Sequence, residues 1–245
     1  MKRLAPLASL VALTLTAPAA MAESRPNVYG ASCPAILTVQ NVDCTVSVIR
    51  QCPGDPTGAT TSVTFDREGY LSASAVDGQG AWTESHTSWD GAFERTLPNP
   101  ADPISFDDLL EQGVDTYDLR ISRTEGGVTR ELQAIGADIL TGRKTSIDGL
   151  PLDIVATDLR ILEPDGTTFY QTRGEQYISP EMRLWFLGSD EVLGDDGSVT
   201  NYDGSPVDFI FPGEPGFGGT TPLYGCPDAA PSLPAPAGPG ANTDK

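Results

Sequence analysis

The chain has 245 residues and is strongly acidic, with 15 Lys and Arg against 34 Asp and Glu. Nucleic acids and anionic lipids attract basic surfaces, so this balance argues against both as partners. The length fits one large β domain or two small ones, and either is long enough to bury a core.

The N-terminus has the pattern of a cleavable export signal. Lys2 and Arg3 precede an apolar run over residues 4–17, and an A-x-A site follows at residues 20–22. These features are typical of a Sec-type signal peptide cleaved after Ala22, although an uncleaved anchor is the alternative. The run is shorter than the roughly 20 residues of a membrane-spanning helix. We therefore expect a periplasmic or secreted protein with no membrane span.

Four cysteines predict two disulfides in an exported protein. The β-branched segment from Cys44 to Cys52 predicts a strand, which would hold these two cysteines roughly 26 Å apart. A disulfide needs Cα atoms within about 7 Å, so Cys44 and Cys52 should not pair. A two-residue turn at 42–43 would place Cys33 opposite Cys52. The predicted pairs are Cys33–Cys52 and Cys44–Cys226.

The rest of the chain predicts successive hairpins separated by Gly-, Asp- and Pro-rich turns. The predicted strands are 62–65, 70–75, 93–97, 117–123, 128–134, 135–140, 144–147, 152–162, 168–178, 182–187 and 209–211. Residues 81–89 predict either a strand or an ordered loop. A turn is expected at Thr141-Gly142, and a phase change in the apolar pattern of segment 152–162 predicts a bulge near Ala156-Thr157. The expected fold is mainly β, an antiparallel meander that forms a strongly curved sheet or half-barrel.

One short helix is predicted near residues 105–112. Ser105 is the expected N-cap, Asp108 is placed to reach back to it, and Gly113 should end the helix. We expect a single β-rich domain over residues 23–226. The Pro/Ala/Gly-rich residues 227–245 lack periodicity and predict a disordered tail.

His86 is the only histidine. If this segment is extended, Trp82, Glu84 and His86 share one face, and with Asp90 they form a candidate site for a metal or for hydrolase catalysis. A metal needs three or four ligands, and the chain has no G-x-S-x-G motif to supply a nucleophile. The alternative is a surface strand or loop whose Trp82 and Trp89 pack inward. No catalytic residue is assigned.

A second candidate site is the acidic stretch that contains Asp190, Asp195, Asp196 and Asp203. Its oxygen ligands suit weak binding of Ca²⁺. The stretch departs from the EF-hand pattern, and Asp-Gly pairs are also ordinary turn residues. No other cofactor is indicated.

Residues 174–186 read GEQYISPEMRLWF. Together with residues 147–151 and the ending Tyr224-Gly225-Cys226, this segment resembles a hairpin of uncharacterised exported β-rich proteins of proteobacteria. That group implies no activity and no site residues. In architecture, the predicted curved sheet is also similar to periplasmic lipoprotein carriers, which hold acyl chains on a concave apolar face, although fold does not imply function.

The leading hypothesis is an exported, non-catalytic binding or interaction module for an apolar small molecule or an envelope protein. It depends on a disulfide-tied β scaffold that contains the aromatic residues Trp82, Trp89, Tyr170, Tyr177, Trp185 and Phe186 and has no catalytic motif. The alternatives are a weak calcium-binding module, a hydrolase that uses His86, and an interaction protein without a pocket. The concave face of the sheet should distinguish them.

Overall fold

The computed structural model describes residues 32–194 and 196–227. The predicted signal peptide and, apart from Pro227, the predicted tail lie outside these ranges. The described residues form thirteen strands and one helix, α1 (Phe106–Gln112). The strands are β1 (Ala35–Asn41), β2 (Val46–Arg50), β3 (Thr60–Asp66), β4 (Gly69–Val76), β5 (Trp82–Thr87), β6 (Phe93–Thr96), β7 (Val114–Glu125), β8 (Val128–Ile147), β9 (Leu150–Leu162), β10 (Thr168–Ser179), β11 (Leu184–Leu193), β12 (Val199–Asp203) and β13 (Pro206–Ile210).

All thirteen strands belong to one antiparallel sheet. Strands β1 to β12 lie side by side in chain order, and β13 returns to pair with the outer side of β1. The predicted mainly β fold, its meander and its short helix are therefore confirmed. The sheet is not closed, because β12 and β13 remain its two edges.

Contacts between strands far apart in the sheet show that it curves back on itself. Phe186 of β11 and Phe209 of β13 pack edge to face with ring centroids 4.9 Å apart, although their strands are second and last in the sheet order. Leu37 of β1 and Leu152 of β9 are buried in the same cluster. Burial of these apolar side chains stabilises the curvature.

Helix α1 covers part of the concave face. Its Phe106 and Leu109 are buried against Val155 and Ile178 of the sheet. Ser105 is the N-cap as predicted, since its Oγ accepts a 3.0 Å hydrogen bond from the Asp108 amide. Glycine 113 ends the helix with φ 78°, a backbone conformation that favours glycine.

The carboxylate of Asp108 does not reach back to the N-cap, and this detail of the prediction is wrong. It accepts a hydrogen bond from Gln112 one turn later, at 2.6 Å. The amide of Ser105 instead donates to Oδ2 of Asp115, the second residue of β7, at 3.0 Å. The helix is therefore anchored to the strand that follows it.

Both predicted disulfides are present, Cys33–Cys52 and Cys44–Cys226, with Cα atoms 4.5 and 4.6 Å apart. The predicted two-residue turn is wrong, because the amide of Asn41 bonds to the carbonyl of Thr45 around a three-residue loop. Cys44 takes a positive φ in this loop and lies outside the strand. An irregularity in pairing between Ala35 and Leu37 offsets the extra residue and brings Cys33 to Cys52.

Strand β8 is longer than the sequence suggests. The turn predicted at Thr141-Gly142 is wrong, because β8 continues through it and residues 141–143 bulge opposite the single residue Ile154. The hydroxyl of Thr141 fastens the bulge by donating to the Ile154 carbonyl at 2.8 Å. No bulge occurs at Ala156-Thr157, whose pairing is regular on both sides.

The two disulfides indicate an oxidising, extracellular type of environment. Within the described ranges, no helix has the length and apolar character needed to cross a lipid bilayer.

Candidate functional site

The curved sheet encloses a cavity of about 510 Å³ on its concave face. Side chains from nearly every strand between β1 and β11 line it, together with Ile104 from the segment before α1. Ligand pockets of small-molecule proteins occupy about 300–1,000 Å³, so the cavity has the size of a binding site. Its walls differ in chemistry.

One wall is rich in hydroxyl groups. Strands β2 to β5 each direct serine or threonine side chains into the cavity, and these residues are cross-strand partners. We call this surface the hydroxyl wall; it consists of Ser47, Ser62, Thr64, Ser72, Ser74 and Ser85. Ser47 and Thr64 are hydrogen-bonded to each other at 2.9 Å, and Ser85 donates to Glu94 at 3.0 Å.

The facing wall is apolar and aromatic. Ile121 of β7 and Leu159 and Ile161 of β9 line the cavity there. Trp82 packs edge to face on Tyr117, with ring centroids 5.9 Å apart. A molecule in the cavity would therefore meet hydrocarbon and aromatic rings on one side and hydroxyl groups on the other.

A row of polar residues crosses five neighbouring strands beside this apolar wall. Cross-strand pairing joins Asp115 on β7, Asp138 on β8, Thr157 on β9, Gly174 on β10 and Asp190 on β11. We call it the Asp138 row. Two of its members, Asp138 and Thr157, line the cavity.

Burial perturbs the carboxyl groups of the Asp138 row. Asp138 is 7% exposed, and burial, followed by the negative charge of Asp115, raises its pKa to about 7. Burial raises the pKa of Asp115 to about 6, against the hydrogen bond from Ser105, and raises the pKa of Asp190. Near neutral pH, Asp138 is therefore present in both its protonated and its charged form.

Two buried polar atoms at the cavity have no hydrogen-bond partner among the described residues. They are Thr157 Oγ1 and Trp185 Nε1, and both residues line the cavity, as does Thr172, whose hydroxyl lies beside that of Tyr170. Thr172 is only 8% exposed. The large majority of buried polar groups have partners, so these exceptions call for a structural or functional explanation.

Two glycines make room for the polar side chains of this wall. Gly136 of β8 lies under the ring and hydroxyl of Tyr117, its cross-strand partner. Gly174 of β10 lies under the carboxylate of Asp190. A Cβ atom at either position would collide with these groups and with a neighbouring backbone carbonyl.

The residues of the predicted His86 site do not form one site but make separate contacts. Trp82 lines the cavity, whereas His86 lies stacked on Tyr70, whose hydroxyl is 2.7 Å from its Nδ1. Glu84 binds Arg95 at 2.8 Å, and Asp90 accepts hydrogen bonds from Thr87, Ala92 and Arg123. An irregularity in the pairing of β4 with β5 lies between Trp82 and Glu84 and interrupts their alternation, whereas Glu84 and His86 stay in regular register.

The residues of the predicted calcium site are also separated by their strands. Asp190 belongs to β11 and faces Gly174, whereas Asp203 ends β12 and accepts a hydrogen bond from the Ser205 amide. Asp196 caps the turn between these strands by accepting from the Ser198 amide, and Asp195 lies outside the described ranges. Among the residues that are described, no three His, Cys, Asp or Glu side chains are grouped so that they could hold a metal ion.

Sequence reasoning missed Asp138, Thr157 and Thr172. The sequence does contain an indication of Asp138. Leu132 and Ala134 are buried on one face of β8, and Asp138, an even number of residues further along the strand, lies on the same face. A charged residue in the buried phase of a strand is unusual and indicates either a partner or a function.

Comparison of the chain with protein-family models, with curated proteins and with solved structures finds no match.

Proposed function

We propose that this protein is an exported, non-catalytic binding protein that holds a small apolar or amphipathic molecule in the cavity of its curved sheet. The observation that carries the proposal is the 510 Å³ cavity on the concave face. A flat or filled sheet would offer no such volume.

The chemistry of the walls supports this choice. Most ligand pockets are largely apolar and contain a few polar groups that orient the ligand. Ile121, Leu159 and the Trp82–Tyr117 pair provide the apolar surface, and the hydroxyl wall provides the polar groups. An amphipathic molecule can satisfy both walls at once.

The compartment follows from two features of the chain. The N-terminal 22 residues have the pattern of a Sec-type signal peptide, and both disulfides suit an oxidising compartment. We place the protein in the periplasm or outside the cell. The resemblance of residues 174–186 to exported proteobacterial proteins agrees with this placement.

The test is a titration of the purified, oxidised protein with N-phenyl-1-naphthylamine, an uncharged apolar dye that fluoresces in dry sites. We expect saturable binding and quenching of tryptophan emission, because Trp82 and Trp185 both line the cavity. The variant Trp82→Ala should weaken dye binding by about 5-fold or more, since large aromatic contacts dominate binding energy.

The matched control is Trp89→Phe. Trp89 is 45% exposed and does not line the cavity, so this variant should bind the dye like the unaltered protein. Absence of saturable dye binding, or equal weakening by the Trp82 and Trp89 variants, would contradict the proposal.

A further inference from the structure

The cavity carries one charge that nothing in the described part of the protein neutralises. Asp138 forms no ion pair and no hydrogen bond with any described residue. The other charged lining residues all form ion pairs: Glu84 with Arg95, Glu94 with Arg123, and Arg183 with Asp107.

An unpaired buried carboxylate is costly, and a neighbouring carboxylate increases the cost. Asp138 is 7% exposed and pairs across strands with Asp115, which is 4% exposed. Removing a charge from water is unfavourable unless a counter-charge and hydrogen bonds replace the water. A ligand with positive charge would provide both.

The surrounding hydroxyls are a second, independent indication of a ligand. Thr157 is the cross-strand partner of Asp138, and Thr172 lies on the next strand along the sheet. Both side-chain oxygens are buried and belong to cavity-lining residues; Thr157 Oγ1 has no partner among the described residues, and Thr172 Oγ1, which lies beside the Tyr170 hydroxyl, can still accept a hydrogen bond. A hydroxyl oxygen can accept a hydrogen bond, so the three side chains together offer acceptors to one group that has several donors.

We propose that the cavity binds a small organic cation, a protonated amine attached to an apolar body. The ammonium group would lie at Asp138, Thr157 and Thr172, and the apolar body would lie along Ile121 and Leu159. An ammonium carries three donors and a positive charge, which match a carboxylate and two hydroxyls. This inference rests on the proposed binding function and specifies its ligand class.

A bare metal ion suits the cavity less well. No group of three metal-ligating side chains occurs among the described residues, and the volume of about 510 Å³ far exceeds that of an ion. The apolar wall beside Asp138 favours an organic body over a hydrated ion.

Proton release gives this inference a specific signature. The charged group that faces Asp138 is Asp115 from β7; Thr157 from β9 is uncharged, and Asp108 of α1 acts on Asp115. With its pKa raised to about 7, Asp138 is partly protonated at neutral pH. Since a bound cation favours the carboxylate, amine binding should release a proton, whereas binding of a neutral ligand should not.

The experiment compares octylamine, octanol and octanoate, which share one chain and differ in head group. Each is titrated calorimetrically into the oxidised full chain, and octylamine binding is repeated in buffers of different ionisation enthalpy. We expect octylamine to bind about 10-fold more tightly than octanol, the gain of one charge-assisted contact. Octanoate should bind most weakly.

Two variants localise the effect. Asp138→Asn should remove the preference for octylamine over octanol, together with the proton release, because the amide carries no negative charge and does not titrate. Thr172→Val, which keeps the shape of the side chain, should weaken octylamine binding about 3-fold through loss of one acceptor. The control is Asp158→Asn, which removes the same charge from an exposed residue of β9 and should leave the preference intact.

The outcomes separate the two proposals. Saturable dye and octanol binding without a preference for octylamine would overturn the cation inference and leave the binding function in place. Loss of the preference in Asp158→Asn as well as Asp138→Asn would show general attraction to an acidic protein and would also overturn the inference. Failure of all the ligands and the dye to bind would overturn both proposals.

Discussion

The hydroxyl of Tyr202 on β12 donates a hydrogen bond to Oδ2 of Asp43, in the loop between β1 and β2. Strand β12 is the first in the sheet order and β1 is the twelfth, so this contact joins the two ends of the curved sheet. Burial, together with the charge of Asp43, raises the pKa of Tyr202 and keeps its hydroxyl protonated as a donor. The contact therefore helps to hold the two ends of the sheet together.

Removing this hydroxyl should loosen the closure. We expect Tyr202→Phe to lower the free energy of unfolding by about 1–2 kcal/mol, the cost of leaving Oδ2 of Asp43 without its donor. Urea denaturation measures it, and Tyr224→Phe is the control, because its hydroxyl is exposed and 3.5 Å from Asp208. Equal stability of the two variants would show that the contact adds nothing.

The two disulfides should differ in what they contribute. Cys44–Cys226 joins residues 182 apart, whereas Cys33–Cys52 joins residues 19 apart. Because a longer closed loop restricts the unfolded chain more, replacing the first pair by serine should cost about 5 kcal/mol and replacing the second about 3 kcal/mol. Urea denaturation of the two double variants measures the difference. A larger loss from the short loop would contradict the expectation.

The architecture was predictable because its signals are local. Tight turns such as Gly126-Gly127 and Asp148-Gly149, all with positive φ, identify hairpins from sequence. The same holds for the helix bounded by Ser105 and Gly113. Successive hairpins with short turns leave little choice except a meander.

The features that could not be predicted from the sequence depend on how the strands pair with one another. The pattern near Thr141-Gly142 is that of a turn, but pairing with β9 on both sides of it keeps β8 continuous. Strand β12 is exposed along most of its length, so it lacks the apolar alternation that identifies strands. The Asp138 row arises only when five strands are in register, and no local signal in the chain specifies that register.

Stability should depend on pH through Asp138. Its pKa is raised from 3.8 to about 7 on folding, so the folded state holds a proton that the unfolded state releases. Because the folded state binds more protons than the unfolded state, the free energy of unfolding falls as pH rises between about 4 and about 7 and then levels off. Asp115, with a pKa raised to about 6, adds a smaller effect of the same sign.

Asp138→Asn removes most of this dependence. In the absence of ligand, the variant should be more stable than the unaltered protein at pH 8, on the order of 2 kcal/mol, and nearly equal to it at pH 4. Thermal or urea unfolding across this range measures the change. Asp158→Asn, at an exposed position, should show the same dependence of stability on pH as the unaltered protein. If Asp138→Asn also showed that dependence, Asp138 would not be its source.

Gly136 supports the cavity by leaving room for Tyr117. The tyrosine ring and hydroxyl lie over the glycine, and the carbonyl of Asp158 lies beside it, so a methyl group at position 136 would displace the ring. We expect Gly136→Ala to cost about 1–3 kcal/mol of stability, as overpacking does. Because Tyr117 lines the cavity, the displaced ring should also weaken dye binding.

A double variant separates this contact from a simple effect of losing glycine. In Gly136→Ala with Tyr117→Leu, the ring is absent, so the added methyl should cost less than it does alone. The expected coupling is about 0.5 kcal/mol or more, measured by urea denaturation of the two single variants and the double variant. Strictly additive losses would mean that the ring of Tyr117 does not require the glycine, and that the shape of the cavity wall there has another cause.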